Sequence, residues 1–172
     1  MTMTCSSDIT AKIVSGPQAA CLAPQLWSDL PEKRKRMILW EVPARERFRK
    51  LQSYLGICHK VCIAWDAGKM LGMSWVVPMC AGSRAGMIHL AWGGDFMLAL
   101  TLGRLYYRAL TQWYDTLAMF VPLQFRHVRK FIEALGYKEA AYLKNAAVLA
   151  DHDSRIVDAI FYVLDLKATY GQ

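Results

Sequence analysis

Met87-Ile-His-Leu-Ala-Trp92, the break Gly93-Gly94-Asp95, the run Leu98 to Tyr114, Thr116-Leu-Ala-Met-Phe-Val121-Pro122 and Gln124 to Tyr137 follow one another without interruption and decide the fold. The first run is apolar, short and stopped by a turn signal, which reads as a buried strand. From Leu98 to Tyr114 apolar residues recur at helical spacing. Thr116 to Val121 is a second buried-strand candidate, ended by Pro122. In the helix from Gln124 to Leu135, Phe125, Val128, Ile132 and Leu135 form an inward stripe. Arg126, Arg129, Lys130 and Glu133 form its wet face, and Gly136 closes it. Strand, helix, strand, helix in this order predicts a crossover within a mixed α/β sheet.

Upstream, Asp8 to Val14 alternates as a strand, and Pro17 sits near the first position of a following helix. Pro24 and Pro31 are expected to interrupt the helical segment after Pro17. Asp29 can cap a helix starting near Pro31 and ending between Trp40 and Pro43. A further helix opens at Pro43, carries Phe48, Leu51, Tyr54 and Leu55 on one side, and closes at Gly56. Val61 to Trp65 and Met70 to Val77 flank Asp66-Ala67-Gly68-Lys69 as a β-hairpin. Downstream, Tyr137 to Leu149 and Arg155 to Leu166 read as strands around a turn at 151–154. The expectation is one domain over residues 1–172, with a flexible end at 1–8. Its mixed twisted sheet has about six or seven strands, with helices on both faces.

A chain of 172 residues, 55% of them hydrophobic, can bury its own core and is not a disordered polymer. No apolar run approaches the ~18 residues of a membrane span, and no signal-peptide pattern stands at the start. The expected location is therefore the cytoplasm, or the interior of a virion. The five cysteines show no CxxC pair, so reduced, buried thiols are expected. No metal is expected: Cys58 and Cys62 lack a second ligand pair, and Asp151-His152-Asp153 reads as a solvated turn. The net charge of +7 gathers at Lys33 to Arg36, Arg45 to Lys50 and Arg126 to Lys130. Such clusters suit an acidic partner or a phosphorylated ligand. Without a zinc-finger, RNP or KH signature, they point away from specific nucleic-acid binding. G-x-S-x-G, Walker and H-E-x-x-H motifs are all missing.

Phe131-Ile-Glu-Ala-Leu-Gly-Tyr-Lys-Glu139 resembles the recurrent "lYeklGFke" segment of the GNAT superfamily of acyl-CoA N-acyltransferases. The Asp-Ala-Gly-Lys hairpin and Asp158 to Leu166 resemble that family's second turn and closing strand. The resemblance implies a sheet whose fourth and fifth strands splay apart, forming a wedge for a pantetheine arm. It implies acetyl-CoA or another acyl-CoA as donor, an unknown amine as acceptor, and a pyrophosphate seated on a helix N-terminus.

Carried over residue by residue, the resemblance puts His89 at the place of the catalytic base, and Leu90, Ala91 and Trp92 where strand backbone holds the acyl carbonyl. Gly103 takes the last position of Q/R-x-x-G-x-G/A, with Leu98 and Thr101 replacing earlier members and Arg104 following. Alternatively Gly93-Gly94-Asp95 makes the turn, and Asp95 then sets a negative charge beside the pyrophosphate. Ile132 stands where a tyrosine acid is usual, leaving Tyr106, Tyr107 or Tyr142 as substitutes, with Tyr142 carried forward. Gln124 and Arg126 flank Phe125 at the family's asparagine position and are candidate cofactor contacts. The implied activity is N-acyl transfer. The alternative is a non-catalytic phage or prophage GNAT-like protein, acting in head assembly or as an internal virion component with phage structural proteins as partners. Tyr114-Asp-Thr-Leu117, Val121, His127-Val-Arg-Lys-Phe-Ile132 and Gly136 resemble small phage proteins of that type.

Overall fold

The computed structural model describes residues 9–35, 38–150 and 154–171, and the backbone of residues 2–4. The chain begins with β1 (Thr2–Thr4), β2 (Ile9–Val14), α1 (Gly16–Asp29), α2 (Glu32–Lys35) and α3 (Ala44–Ile57). It continues through β3 (Lys60–Asp66), β4 (Lys69–Pro78), β5 (Ala85–Trp92), α4 (Phe96–Leu110) and β6 (Thr116–Pro122). It ends with α5 (Arg126–Ala134), β7 (Lys138–Leu149), β8 (Arg155–Asp165) and α6 (Leu166–Tyr170). Among the described residues eight strands form one sheet, in the order β1-β2-β3-β4-β5-β6-β8-β7. Every neighbouring pair is antiparallel except β5–β6.

Side-chain alternation on the inner strands gives the sheet two apolar faces. Val61, Ile63, Met73 and Trp75 pack with α1 and α3, through Ala19, Ala23, Leu26, Leu51 and Leu55. Cys62, Ala64, Val76 and Ile88 pack with α4 and α5, through Leu102, Tyr106, Leu110, Phe131 and Ile132. The mixed sheet with helices on both faces is as the sequence predicts. The hairpin turn is confirmed too: Ala67 and Gly68 have φ of 46° and 84°, the paired positive values that a tight two-residue reversal requires.

Four local expectations change. Residues 2–4 do not form a free end but pair with Thr10–Lys12 as an edge strand. Pro24 does not interrupt α1. A proline leaves the carbonyl four residues earlier without its helical donor, and Gln52 Nε2 of α3 approaches the Ala20 carbonyl at 3.4 Å. Asp29 does not cap α2; its carboxylate accepts from Met70 N–H at 2.8 Å and ties the end of α1 to β4. The chain after β8 turns into α6, because the Asp165 carboxylate accepts from Ala168 N–H and caps it.

The α1–α3 contact is closest at Gly16. A Cβ there would stand 2.2 Å from the Cys58 carbonyl oxygen and 2.3 Å from that of Leu55. Both obstacles are backbone, so rotamer changes cannot relieve them. Gly16→Ala is expected to lower the unfolding free energy by about 1–3 kcal/mol, read from urea denaturation of the two proteins side by side.

Candidate functional site: a wedge between two parallel strands

β5 and β6 are bonded at one end only. Their register covers Ala85↔Thr116, Gly86↔Leu117 and Met87↔Ala118, and then the strands part. Just before the paired end, Arg84 grips Asp115 through Nε at 2.9 Å and Nη2 at 2.8 Å. Lys167 adds a third contact at 2.9 Å. The Arg84 carbonyl accepts from the N–H groups of Asp115 and Thr116. These partners hold the Asp115 carboxyl down at about 2.

Past Met87 and Ala118 the facing edges have no strand between them among the described residues. A cavity of about 490 Å³ fills the gap and passes from one face of the sheet to the other. On the α4–α5 side Phe96, Ala99, Phe125, Val128 and Phe131 line it. On the other side stand Ile38, Leu39, Trp40 and Glu41. That segment is held by the buried Arg47 of α3, whose Nε donates to the carbonyls of Val42 at 2.8 Å and Leu39 at 3.2 Å. The Trp40 carbonyl is bonded in turn by Ala150 N–H, from the residue after β7. A register shift between Leu143 and Ala147, with Asn145 at φ 52°, bulges β7 and brings Ala146 to the cavity.

His89 lines the splay. Its ring stacks on that of Trp75, its cross-strand partner on β4, with centroids 5.5 Å apart and planes 10° apart. Burial drives its pKa down to about 4, so the imidazole is neutral at pH 7 and able to accept a proton. Trp75 also lines the cavity, and its buried Nε1 has no hydrogen-bond partner among the described residues. An unpaired buried donor costs roughly 1–3 kcal/mol. Sequence alone assigns Trp75 to the core, and it is 1% exposed in the core on the α1–α3 side.

The other candidates are dispersed. Leu90 and Trp92 line the cavity, whereas Ala91 is buried toward α1 and α3. Leu98, Thr101 and Gly103 all lie inside α4. Gly103 is a packing residue: a Cβ there would stand 3.2 Å from Leu135 Cδ2. Arg104 Nη2 points to the Ala134 carbonyl at 3.4 Å. Gln124 is exposed and makes no cap on α5, where Phe125 holds that position. Arg126 is exposed in the first turn of α5.

Tyr142 does not line the cavity. Its hydroxyl donates to Asp158, which pushes the phenol up and fits poorly with a proton donor. Tyr106 donates to the Lys60 carbonyl, and Tyr137 donates to Tyr107. Cys58 and Cys62 are buried and pushed up to about 12, but Cys21 and Cys80 are exposed. The other cysteine, Cys5, and the 151–153 turn lie outside the described residues. Among those described, no metal-binding cluster occurs, and no helix is long and apolar enough to cross a membrane.

The turn Gly93-Gly94-Asp95, the second of the two sequence alternatives, is the one formed. It carries the chain from β5 straight into α4. Trp92 Nε1 donates to the Asp95 carbonyl at 3.0 Å and braces the loop. The Asp95 carboxylate then accepts from Met97 N–H at 2.8 Å and Leu98 N–H at 3.1 Å. Those are the donors a pyrophosphate would use at a helix N-terminus, and a fixed negative charge occupies them. The wedge fits an acyl-pantetheine arm; the α4 terminus does not fit a pyrophosphate.

Two outcomes test this geometry. His89 has a lower pKa folded than free, where it is near 6.5. Its contribution to stability is therefore complete above that value and lost as pH falls toward 4. Between those limits the wild type should lose on the order of 2–3 kcal/mol more stability than His89→Gln, read by urea denaturation at stepped pH. Asp95→Ala should cost about 1 kcal/mol of stability yet tighten acetyl-CoA binding about two- to fivefold. Unchanged affinity in calorimetry would refute the occupied-terminus reading.

No protein-family model and no curated protein matches the sequence. Solved structures do. A spermidine N-acetyltransferase SpeG chimera from Vibrio cholerae and hSSAT superposes with a TM-score of 0.69 at 12% identity, over 96% of this chain and 100% of that one. A GNAT-family acetyltransferase from Streptococcus pneumoniae gives 0.67 at 11%, over 91% and 99%. YncA from Salmonella typhimurium, solved with its cofactor acetyl-CoA, gives 0.66 at 12%, over 93% and 95%. With the one-ended β5–β6 pairing and the cavity between those strands, these likenesses establish that the chain has the GNAT acyltransferase fold.

Proposed function

We propose that the chain is an N-acyltransferase that moves an acyl group from a pantetheine thioester to an amine. The observation that carries this reading is the open wedge with His89 inside it. Edge backbone groups of β5 and β6 without strand partners need hydrogen bonds, and an extended arm bearing amides supplies them as an added strand does. The apolar lining suits the arm's methyl groups and an acyl chain.

A thioester supplies an activated carbonyl. His89 takes the proton shed by the attacking amine. An imidazolium with so low a pKa is a strong acid, and it returns that proton to the departing sulfur. The desolvation that keeps His89 neutral also favours the free-base amine. Spermidine, the substrate named for one structural neighbour, is a polycation. Against Arg34, this cavity is lined among the described residues by a single carboxylate, Glu41, so a monoamine with an apolar body suits it better.

The test is thiol release from acetyl- and octanoyl-thioesters across a panel of amines. His89→Gln should lower kcat about a hundredfold or more while thioester binding persists. Absence of both thioester binding and thiol release would end this reading.

A further inference from the structure

We propose that the acyl donor is a phosphopantetheine thioester borne on an acidic carrier protein, not a free coenzyme A thioester. This rests on the acyl-transfer reading above and names its donor. Both donors share the pantetheine arm and the first phosphate. They differ in what lies beyond, a second phosphate with its nucleotide in one case and a folded acidic protein in the other. Three observations separate them.

The first is the α4 N-terminus, where Asp95 already takes the Met97 and Leu98 N–H groups. Leu98 and Thr101 add no charge there, and the Thr101 hydroxyl is spent on the Met97 carbonyl. Nothing at this terminus rewards a second phosphate.

The second is the mouth of the wedge. It opens where β5 leads into α4 and β6 leads into α5, and its rim is apolar at the surface. Met97 is 64% exposed, Phe96 46% and Leu123 36%. Of these Phe96 lines the cavity, Met97 follows it in α4 and Leu123 follows the lining residue Pro122; exposed apolar side chains at such positions suit a protein contact more than a nucleotide seat.

The third is charge. Arg126 and Lys130 are exposed on one face of α5. Arg34 lines the cavity close enough to His127 to lower that imidazole's pKa, along with burial. Of the described acidic groups nearby, Asp95 is committed to α4, Glu133 accepts from Tyr162, Asp158 accepts from Tyr142 and from Asn145 N–H, and Glu41 lies across the cavity. Arg126 at the start of α5 and Lys130 one turn along its outer face, on a chain of net charge +7, complement an acidic carrier surface. The arm of a carrier docked there enters the wedge directly. In the reaction the amine nitrogen bonds to the acyl carbon and the carbon–sulfur bond breaks. The amine's proton reaches the sulfur, so the products are an amide and the carrier's free thiol.

Calorimetry on the full chain decides the matter, with octanoyl-holo-acyl carrier protein, octanoyl-CoA and octanoyl-pantetheine as probes. The carrier-borne thioester should bind about tenfold or more tighter than octanoyl-CoA, and octanoyl-CoA no tighter than octanoyl-pantetheine. In Arg126→Glu/Lys130→Glu, the ratio of carrier affinity to pantetheine affinity should fall about tenfold. Retained octanoyl-pantetheine binding shows that this variant is folded.

Octanoyl-CoA binding tighter than both other probes would mean that the nucleotide is recognised. That overturns the carrier proposal and leaves acyl transfer standing. Equal affinity for all three probes also overturns it. So does binding to phosphatidylglycerol vesicles, abolished in the same variant, when the carrier shows no gain. If none of the three thioesters binds, the acyl-transfer reading itself falls.

Discussion

The bidentate grip of Arg84 on Asp115 holds two parallel strands together at one end, and the rest of the site depends on that asymmetry. Parallel strands normally remain bonded along their shared length, because each unpaired backbone group forfeits a hydrogen bond. Here the bonds stop after three residue pairs. The outer edges stay anchored, β5 to β4 and β6 to β8, so the gap opens within a sheet that is rigid on both sides. Both strands then lead into helices at the open end, which puts two helix starts at the mouth. On the opposite face the residues before α3 cover the gap, and the buried Arg47 sets their position. One clamp, two anchored edges and one arginine-held segment thus define a cavity that crosses the sheet.

The start of α4 shows how local stability and ligand binding compete for the same atoms. The first N–H groups of any helix lack intrahelical partners. They can be satisfied by the chain's own capping side chain or by a bound anion, but not by both at once. A short Gly-Gly turn places Asp95 at the cap, and its carboxylate occupies two of them. The helix is stabilised whether or not a ligand is present, and the terminus loses its attraction for phosphate. Binding energy for the thioester proposed above would have to come from the wedge and its rim. The exposed Phe96 and Met97, poor choices for a solvated helix start, fit that requirement.

Much of the fold was legible because it rests on periodicity. The apolar run of Met87 to Trp92, the stripe of the α5 helix and the Asp-Ala-Gly-Lys turn are local patterns whose geometry is set by the residues alone. What was hidden depended on partners far away in the chain. Nothing near Pro24 shows that Gln52 approaches the carbonyl it leaves free. Nothing near Asp29 shows that Met70 N–H will be closer than the start of α2. The site was legible to the same extent. His89 could be placed by register on a strand. The Q/R-x-x-G-x-G/A alignment set Leu98, Thr101 and Gly103 at phosphate-binding positions, whereas the turn at 93–95 starts α4 at Phe96 and leaves them inside the helix. Tyr142 was attractive as a phenol without a known partner, and Asp158 is that partner. Trp75 reads as core in the sequence and is core, 1% exposed, and only the folded sheet stacks it on His89.

The missing tyrosine acid bears on mechanism through the proton inventory of the wedge. Tyr106, Tyr107 and Tyr137 are buried, mutually packed or bonded to backbone, and all are pushed above their ordinary range. The acid position itself is Ile132, fully buried at 0% exposure. Among the described residues no tyrosine lines the wedge, and the titratable groups that line it beside His89 are His127 and Glu41. A single imidazole suffices when its conjugate acid is strong enough to protonate a thiolate, and a histidine held near 4 meets that condition by several units against an ordinary thiol near 8.5. The same low value makes His89 a weak base toward an ammonium ion, so it works only on an amine that arrives neutral. The apolar walls that exclude charge from His89 impose that state on the amine as well. In the acyl-transfer reading proposed above, burial of His89 beside Trp75 would set both the order of proton transfer and the kind of amine that can react.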